Sequence, residues 1–543
     1  MGSPAFNSNP PVRRHSEGCV NAYENYRNGA RAPQRPFAPS NGALVAIASG
    51  LLAAAIAAAA AVSQHPAAAG AAAAVAGLAG TVFILRHPSV LLWMLLLSTP
   101  FNDLLAFDLG GLNIRPYEIF ALLGMLGIVW QFLGRRKSAM RDIAARFKVM
   151  LLIAVLLIVS KVVSILSLTV LPYGMSKFFC LKYVVFLALQ FAAAFVCASL
   201  IDSRERLQQA IRAWIHVSNL VCFIALIQLF LANAFGMDLV VHRDVIPIGR
   251  AYSVFREPDV LGCYLAAVMV MLVPLIVARV NFVGRGYLWM SLTLHGVLLL
   301  LSVVRAGWVA LLVTLVLYAL LVLMTRRFKS LMPYLNGALV VCAFAAAGMA
   351  MAAPAAAGKL IARVASVSDP KADSASEYRL RDIEAQADLA LHPRYATGGP
   401  MTTAFGYGDF SWSYWVREVV SAEDYDQTAR TRGRNVVLIN AGFNMPLAIQ
   451  FDNGLAGLIL HAAFFLALAL NFLRALRRST DPVLQALLLA TFLPIVAILI
   501  CYQFSYDPLF LTLWVLIGLH LAAVYHAEAS EIWEAERVDE GTT

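Results

Sequence analysis

Apolar runs close to 20 residues long recur along most of this chain, and their recurrence restricts it to a helical, membrane-crossing fold. A hydrocarbon layer about 30 Å thick takes about 20 helical residues to cross. Within that layer every backbone N–H and C=O must find a partner inside the protein, and a single apolar run of this length does so only as a helix. The composition fits the same solution. Sixty per cent of the residues are hydrophobic and 14% are charged, whereas soluble domains carry about 25% charge. So few charges cannot cover soluble domains, which excludes a soluble globular protein, a disordered chain and a disulfide scaffold. The net charge of +10 invites a nucleic-acid partner, but the positions of the basic residues point to membrane topology, and no nucleic-acid partner is expected.

Candidate spans lie at roughly 43–62, 68–85, 89–101, 116–134, 149–170, 179–200, 213–235, 259–278, 288–304, 308–325, 333–353, 446–472, 482–503 and 508–525, about fourteen in all. The polar head contains Pro10, Pro11, Pro33, Pro36 and Pro39 and lacks an apolar core followed by a cleavage site, so a cleavable signal peptide is not expected. The expected organisation is a disordered cytoplasmic tail (1–42), transmembrane helices one to eleven (43–353), a periplasmic loop domain (354–441), helices twelve to fourteen (442–525) and a cytoplasmic tail (526–543). The predicted fold class is thus all-α: a polytopic membrane protein with about fourteen transmembrane helices and one large extracytoplasmic loop between the eleventh and twelfth.

Basic residues in short loops set the orientation. Alternate loops hold Arg135, Arg136, Lys137, Arg141, Arg146 and Lys148, then Arg204, Arg206 and Arg212, then Arg279 and Arg285, then Arg326, Arg327 and Lys329, and finally Arg474, Arg477 and Arg478. With fourteen spans, all of these fall on one side together with both termini, which places the termini in the cytoplasm. The long loop has structure signals of its own. Ser374-Ala375-Ser376-Glu377 reads as a capping box, and His392-Pro393 closes the helical stretch that follows it.

Polar residues on the opposite side are the candidates for chemistry. Arg250 and Arg256 lie between the seventh and eighth spans, Arg305 interrupts the apolar stretch from Leu288 to Met324, and Arg379 lies in the long loop. A snorkelling or interfacial residue explains each arginine singly. Together, on the side that should be poor in positive charge, they suggest an anionic ligand, because guanidinium binds phosphate through paired, charge-assisted hydrogen bonds. Trp412, Tyr414 and Trp415 suit sugar rings, or alternatively an interfacial anchor. Lys161 lies inside an apolar run and is a functional candidate for that reason, with snorkelling or pairing with a carboxylate as equal alternatives. For Asp452, a structural contact with backbone amides is the favoured expectation. No His, Cys or Asp cluster has metal-ligand spacing.

Three blocks resemble the O-antigen ligase and Wzy-type polymerase superfamily of membrane glycosyltransferases. The first is Arg250 through Gly262, with Phe255-Arg256-Glu257-Pro258-Asp259 and Leu261-Gly262; Asp259 stands where Asn is usual. The second is Leu301-Ser302-Val303-Val304-Arg305-Ala306-Gly307-Trp308, with Val304 in place of a Ser. The third joins Leu391-His392-Pro393 and Gly406-Tyr407-Gly408-Asp409-Phe410 to Asn444-Met445-Pro446-Leu447 and Asp452-Asn453-Gly454-Leu455-Ala456-Gly457. Phe443 occupies the position of the histidine proposed as the ligases' base.

The resemblance implies an inverting, metal-independent and cofactor-free glycosyltransferase of the bacterial inner membrane. It would polymerise repeat units of an exopolysaccharide or O-antigen carried on polyprenyl diphosphate at the periplasmic face. Transfer of glycan to a lipid A-core acceptor, as in a ligase, and flipping of a lipid-linked glycan, as in a transporter, are the alternatives. Arg250 and Arg305 would clamp the diphosphate, with Arg256 and Arg379 as further ligands. Glu257 is the first choice of base and His392 the second, while Trp412, Tyr414 and Trp415 would hold the acceptor. The implied partners are a polyprenyl-diphosphate-linked oligosaccharide, an acceptor glycan and the lipid bilayer, with chain-length or export proteins as further candidates.

Overall fold

The computed structural model describes residues 88–101, 107–109, 112–114, 120–122, 139–168, 177–236, 251–255, 257–324, 383–384, 387–388, 390–391, 400–408, 411, 415, 444–504 and 510–541. Contacts divide the chain into a unit of Met1–Arg86 with Ile532–Thr543 and a unit of His87–Glu531. Nearly all the described residues belong to the second.

The described elements are α1 (Pro88–Ser98), a small antiparallel hairpin of β1 (Phe107–Leu109) and β2 (Leu112–Ile114), then α2 (Ala139–Arg146), α3 (Lys148–Ser167), α4 (Lys177–Leu200), α5 (Arg204–Phe235), α6 (Pro258–Val277), α7 (Arg285–Ser302), α8 (Arg305–Met324), α9 (Pro400–Phe405), α10 (Met445–Arg478), α11 (Pro482–Cys501) and α12 (Leu511–Gly541). Short polar residues set several of the starts. The Ser203 side chain accepts from the Arg206 N–H, Asn444 from the Leu447 N–H, and Asp481 from the N–H groups of Val483 and Leu484, with Pro482 as the first helical residue. The core is lined by apolar faces from most of these helices. Phe191, Phe464 and Trp514 meet edge-on or tilted where α4, α10 and α12 converge, and Phe472 stacks on Phe492 with ring centroids 4.0 Å apart.

The protein is an all-α polytopic membrane protein, but the expectation of about fourteen spans is corrected. Eight helices among the described residues are long and apolar enough to cross a membrane: α3, α4, α5, α6, α8, α10, α11 and α12. The expected span at 89–101 is the 11-residue α1, too short to cross. The expected span at 288–304 is α7, whose Arg285, Tyr287, Ser291 and His295 keep it below the apolarity of the eight. In the expected span 116–134 only 120–122 are described. The expected spans 43–62, 68–85 and 333–353 lie outside the described residues.

The two ends of the bundle differ chemically. At one end Arg204 pairs with Asp481, Arg146 makes a two-pronged contact with Glu528, and the His526 Nε2–H donates to the Ile201 carbonyl at 3.0 Å. Arg477 and Arg478, in the last turn of α10, are at this end too. The opposite end carries the starts of α6, α8 and α10 and the ends of α7 and α11.

Candidate functional site

At the end away from the basic loops, the first two sequence blocks pack together. Glu257 precedes the first turn of α6 with extended backbone (φ −135°, ψ 146°) and makes no capping hydrogen bond, and Asp259 lies in that first turn. α7 stops at Val303, whose φ of 57° is left-handed and strained for a β-branched residue. Two residues later α8 begins at Arg305. The contact between the blocks requires glycine. A Cβ on Gly262 would sit 2.5 Å from the Val304 Cβ, and one on Gly307 would sit 2.8 Å from the Gly262 carbonyl oxygen. This close approach fixes the Val303-Val304 turn, and with it Arg305, against the start of α6. The end of α11 joins the same cluster. The Cys501 thiol contacts the Ala306 carbonyl at 3.7 Å, and the carbonyl of the next residue, Tyr502, accepts from the Met445 N–H at 2.9 Å.

The third block forms a break in α10. Gly454 has φ 62° and ψ −167°, a conformation open to glycine alone. In an unbroken helix the carbonyls of Phe451 and Asp452 would accept from N–H groups four residues later. Here they accept from the N–H groups of Tyr407 and Gly408, each at 2.9 Å. The Asp452 carbonyl also accepts from the Ser164 hydroxyl of α3 at 3.1 Å. Gly406 makes room for this docking: a Cβ there would lie 2.5 Å from the backbone of Asp452 to Gly454. The Tyr407 ring stacks on Phe451 at 4.6 Å and 12°, and burial pushes its phenol up to about 12. Lys161 is buried on α3 one turn before Ser164, on the helix face that meets α10. Asp452 and Asn453 are buried at the break itself.

Of the residues singled out from sequence, Glu257 is exposed and Arg305 partly exposed, both at the glycine-packed cluster. Trp415 is buried, with its ring edge-on to Tyr407 at 5.0 Å. Arg250, Arg256, Arg379, His392, Trp412, Tyr414 and Phe443 lie outside the described residues. Asp452 contributes its main-chain carbonyl to the docking of 407–408. Among the described residues, no three His, Cys, Asp or Glu side chains gather closely enough to hold a metal ion.

Sequence reasoning missed a polar seam between α5 and α7. Asn219 donates to the Tyr287 hydroxyl at 2.7 Å and to the Ser291 hydroxyl at 2.8 Å, and Tyr287 meets His216 Nδ1 at 2.6 Å. Deeper in the bundle, Ser218 bonds His295 Nε2. The available signal was the spacing of Tyr287, Ser291 and His295, four residues apart and therefore on one helix face.

Compared with known proteins, the chain matches no family model and no curated sequence.

Proposed function

We propose that the protein is a glycosyltransferase of a bacterial cytoplasmic membrane, with both termini in the cytoplasm, which polymerises glycan repeat units from a polyprenyl-diphosphate carrier on the periplasmic face. One observation carries this reading: two blocks far apart in sequence, 257–262 and 303–307, converge at the bundle end that the basic loops avoid. Basic residues favour the cytoplasmic side, so the converging end faces the periplasm.

Arg305, with Arg250, Arg256 and Arg379, would hold the diphosphate and stabilise the charge that builds as it departs. The acceptor hydroxyl attacks the anomeric carbon and gives its proton to Glu257, with His392 as the second choice of base. The bond to the diphosphate oxygen breaks, and the electron pair leaves with the carrier. A single displacement of this kind inverts the anomeric carbon. Trp412 and Tyr414 are assigned to the acceptor; Trp415, buried against the Tyr407 ring, is left out of it.

A second reading, a lipid-linked glycan transporter, is favoured by the break at Gly454, because transporters bind their substrates at discontinuous helices. The test is the purified protein in proteoliposomes with a synthetic polyprenyl-diphosphate-linked repeat unit. A ladder of longer glycans, lost in Arg305→Ala protein of unchanged Tm, supports the polymerase. A single transfer to a lipid A-core acceptor points to a ligase instead. Movement of the lipid-linked sugar across the bilayer with no new glycosidic bond refutes the enzyme and favours the transporter.

A further inference from the structure

One face of α5 is exposed along most of its length. Arg212, His216, Leu220, Phe223, Ile227 and Phe230 follow one another at spacings of three and four residues, and all are exposed. The stripe changes character once, from polar at Arg212 and His216 to apolar from Leu220 onward. At the change, the seam with α7 holds the His216 ring. Asn219 donates to the Tyr287 hydroxyl, whose own proton is offered to His216 Nδ1 at 2.6 Å. Nε2 of this exposed ring then carries the hydrogen. The His216 and Tyr287 ring centroids are 5.1 Å apart, so the imidazole is braced from the α7 side.

Two helices place this change at one depth. About 20 helical residues cross the hydrocarbon, and counting that many back from Phe235, the last residue of α5, reaches His216. Tyr287, its partner, lies in the first turn of α7, which starts from the same basic end of the bundle as α5. Arg212 lies one turn, about 6 Å, beyond that edge, at headgroup level. Leu220, Phe223 and Ile227 lie about 6, 10 and 16 Å inside it, the depth of one leaflet. Positive charge is available there. Arg212 has no ion-pair partner among the described residues, Asp202 is taken by Arg206, and Glu205 lies two turns farther out, about 10 Å from Arg212 along the axis.

We propose that this face of α5, braced by Tyr287 of α7, binds an anionic phospholipid of the leaflet at the basic end of the bundle. The phosphate accepts paired hydrogen bonds from the Arg212 guanidinium and one from His216 Nε2, and an acyl chain follows Leu220, Phe223 and Ile227. Such a lipid uses both halves of the stripe, which a soluble phosphate, having no chain, cannot do. A zwitterionic phosphatidylcholine carries its own cation beside the phosphate and gains less from Arg212. The site lies at the opposite end of the bundle from Glu257 and Arg305. It requires only that the chain span a bilayer, and the glycosyltransferase reading neither needs nor excludes it.

The test uses the full chain in phosphatidylcholine nanodiscs that carry, at low mole fraction, either phosphatidylglycerol or phosphatidylcholine with a photoreactive diazirine in the acyl chain. Crosslinks are mapped by mass spectrometry to the α5 peptide containing residues 220–230. The phosphatidylglycerol probe should label that peptide at least ~10-fold more than the phosphatidylcholine probe, and Arg212→Gln should remove most of the excess. Arg478→Gln is the control. It deletes an exposed arginine at the same end of the bundle, on α10, and should leave the labelling unchanged. His216→Phe keeps an aromatic ring beside Tyr287 but removes the Nε2 donor, and should lower the labelling ~3-fold or more. Excess glycerol phosphate should not compete. Equal labelling by the two probes, no loss in Arg212→Gln, the same loss in Arg478→Gln, or displacement by glycerol phosphate overturns the site.

Discussion

Replacing Gly454 by alanine separates two costs that coincide at the break in α10. The first is conformational: φ 62° with ψ −167° is a region that side chains rarely enter, with a penalty of about 1–3 kcal/mol. The second is steric. The new Cβ would run into Ala404 C and O and Phe405 N, which are main-chain atoms and cannot swing aside as a flexible side chain can. Overpacking of that kind costs a further ~1–3 kcal/mol. Gly236 supplies the control. It also has a positive φ, 63°, but nothing lies within 4 Å of its Cβ position, so Gly236→Ala carries only the left-handed penalty of about 1–2 kcal/mol. Denaturant titration in detergent should therefore show Gly454→Ala to be less stable than Gly236→Ala by roughly 1–3 kcal/mol. Displacing 400–408 also uncovers Cys180, whose sulfur would lie 3.1 Å from a Cβ on Gly408. Mass mapping of maleimide-treated protein should find Cys180 modified in Gly454→Ala and protected in Gly236→Ala. Equal stability losses with Cys180 protected in both would refute the docking of Gly406-Tyr407-Gly408 into the break.

Gly262→Ala should lose about 1–3 kcal/mol, and a double-mutant cycle with Val304→Ala should recover part of it, because two of the three contacts are with the Val304 methyl groups. Val303→Gly should gain up to about 1 kcal/mol from relief of its left-handed backbone, while turnover of lipid-linked donor falls as the turn carrying Arg305 slackens. Burial alone would raise the Asp481 carboxyl, but the Arg204 hydrogen bond and charge and the two cap N–H groups bring it below its ordinary 3.8. A carboxylate depressed in the folded state contributes stability above its unfolded value and loses it as pH falls through the lower folded value. Asp481→Asn should therefore reduce stability at neutral pH and flatten the decline below about pH 4, followed by Tm against pH.

Bilayer thickness made much of the helical scaffold legible. The runs expected at 149–170, 179–200, 259–278 and 482–503 match α3, α4, α6 and α11 within a few residues, because a continuous apolar stretch of that length has one solution in lipid. The span count failed where length or polarity intervened. α1 is short, and α7 carries a row of polar groups that bond to His216, Ser218 and Asn219 on a neighbouring helix. Such pairing depends on tertiary contact, and no window along one helix reveals it. The break in α10 was equally hidden, since apolar helix continues on both sides of it; Asn453-Gly454 was the only local hint. At the candidate site, the packing of Glu257–Gly262 against Val303–Gly307 gives physical meaning to two glycines that the sequence presented only as parts of motifs.

The most direct measurement of the central claim is equilibrium binding of polyprenyl diphosphate to the purified protein, compared with the uncharged polyprenol and with Arg305→Ala protein. A charge-assisted hydrogen bond lost from such a site is worth about 1.5–3 kcal/mol, so the variant should bind the diphosphate roughly 10- to 100-fold more weakly while its weak affinity for the alcohol stays the same. Equal affinity for the alcohol and the diphosphate, or no change on removing the Arg305 guanidinium, would contradict recognition of a phosphorylated lipid head at this end of the bundle.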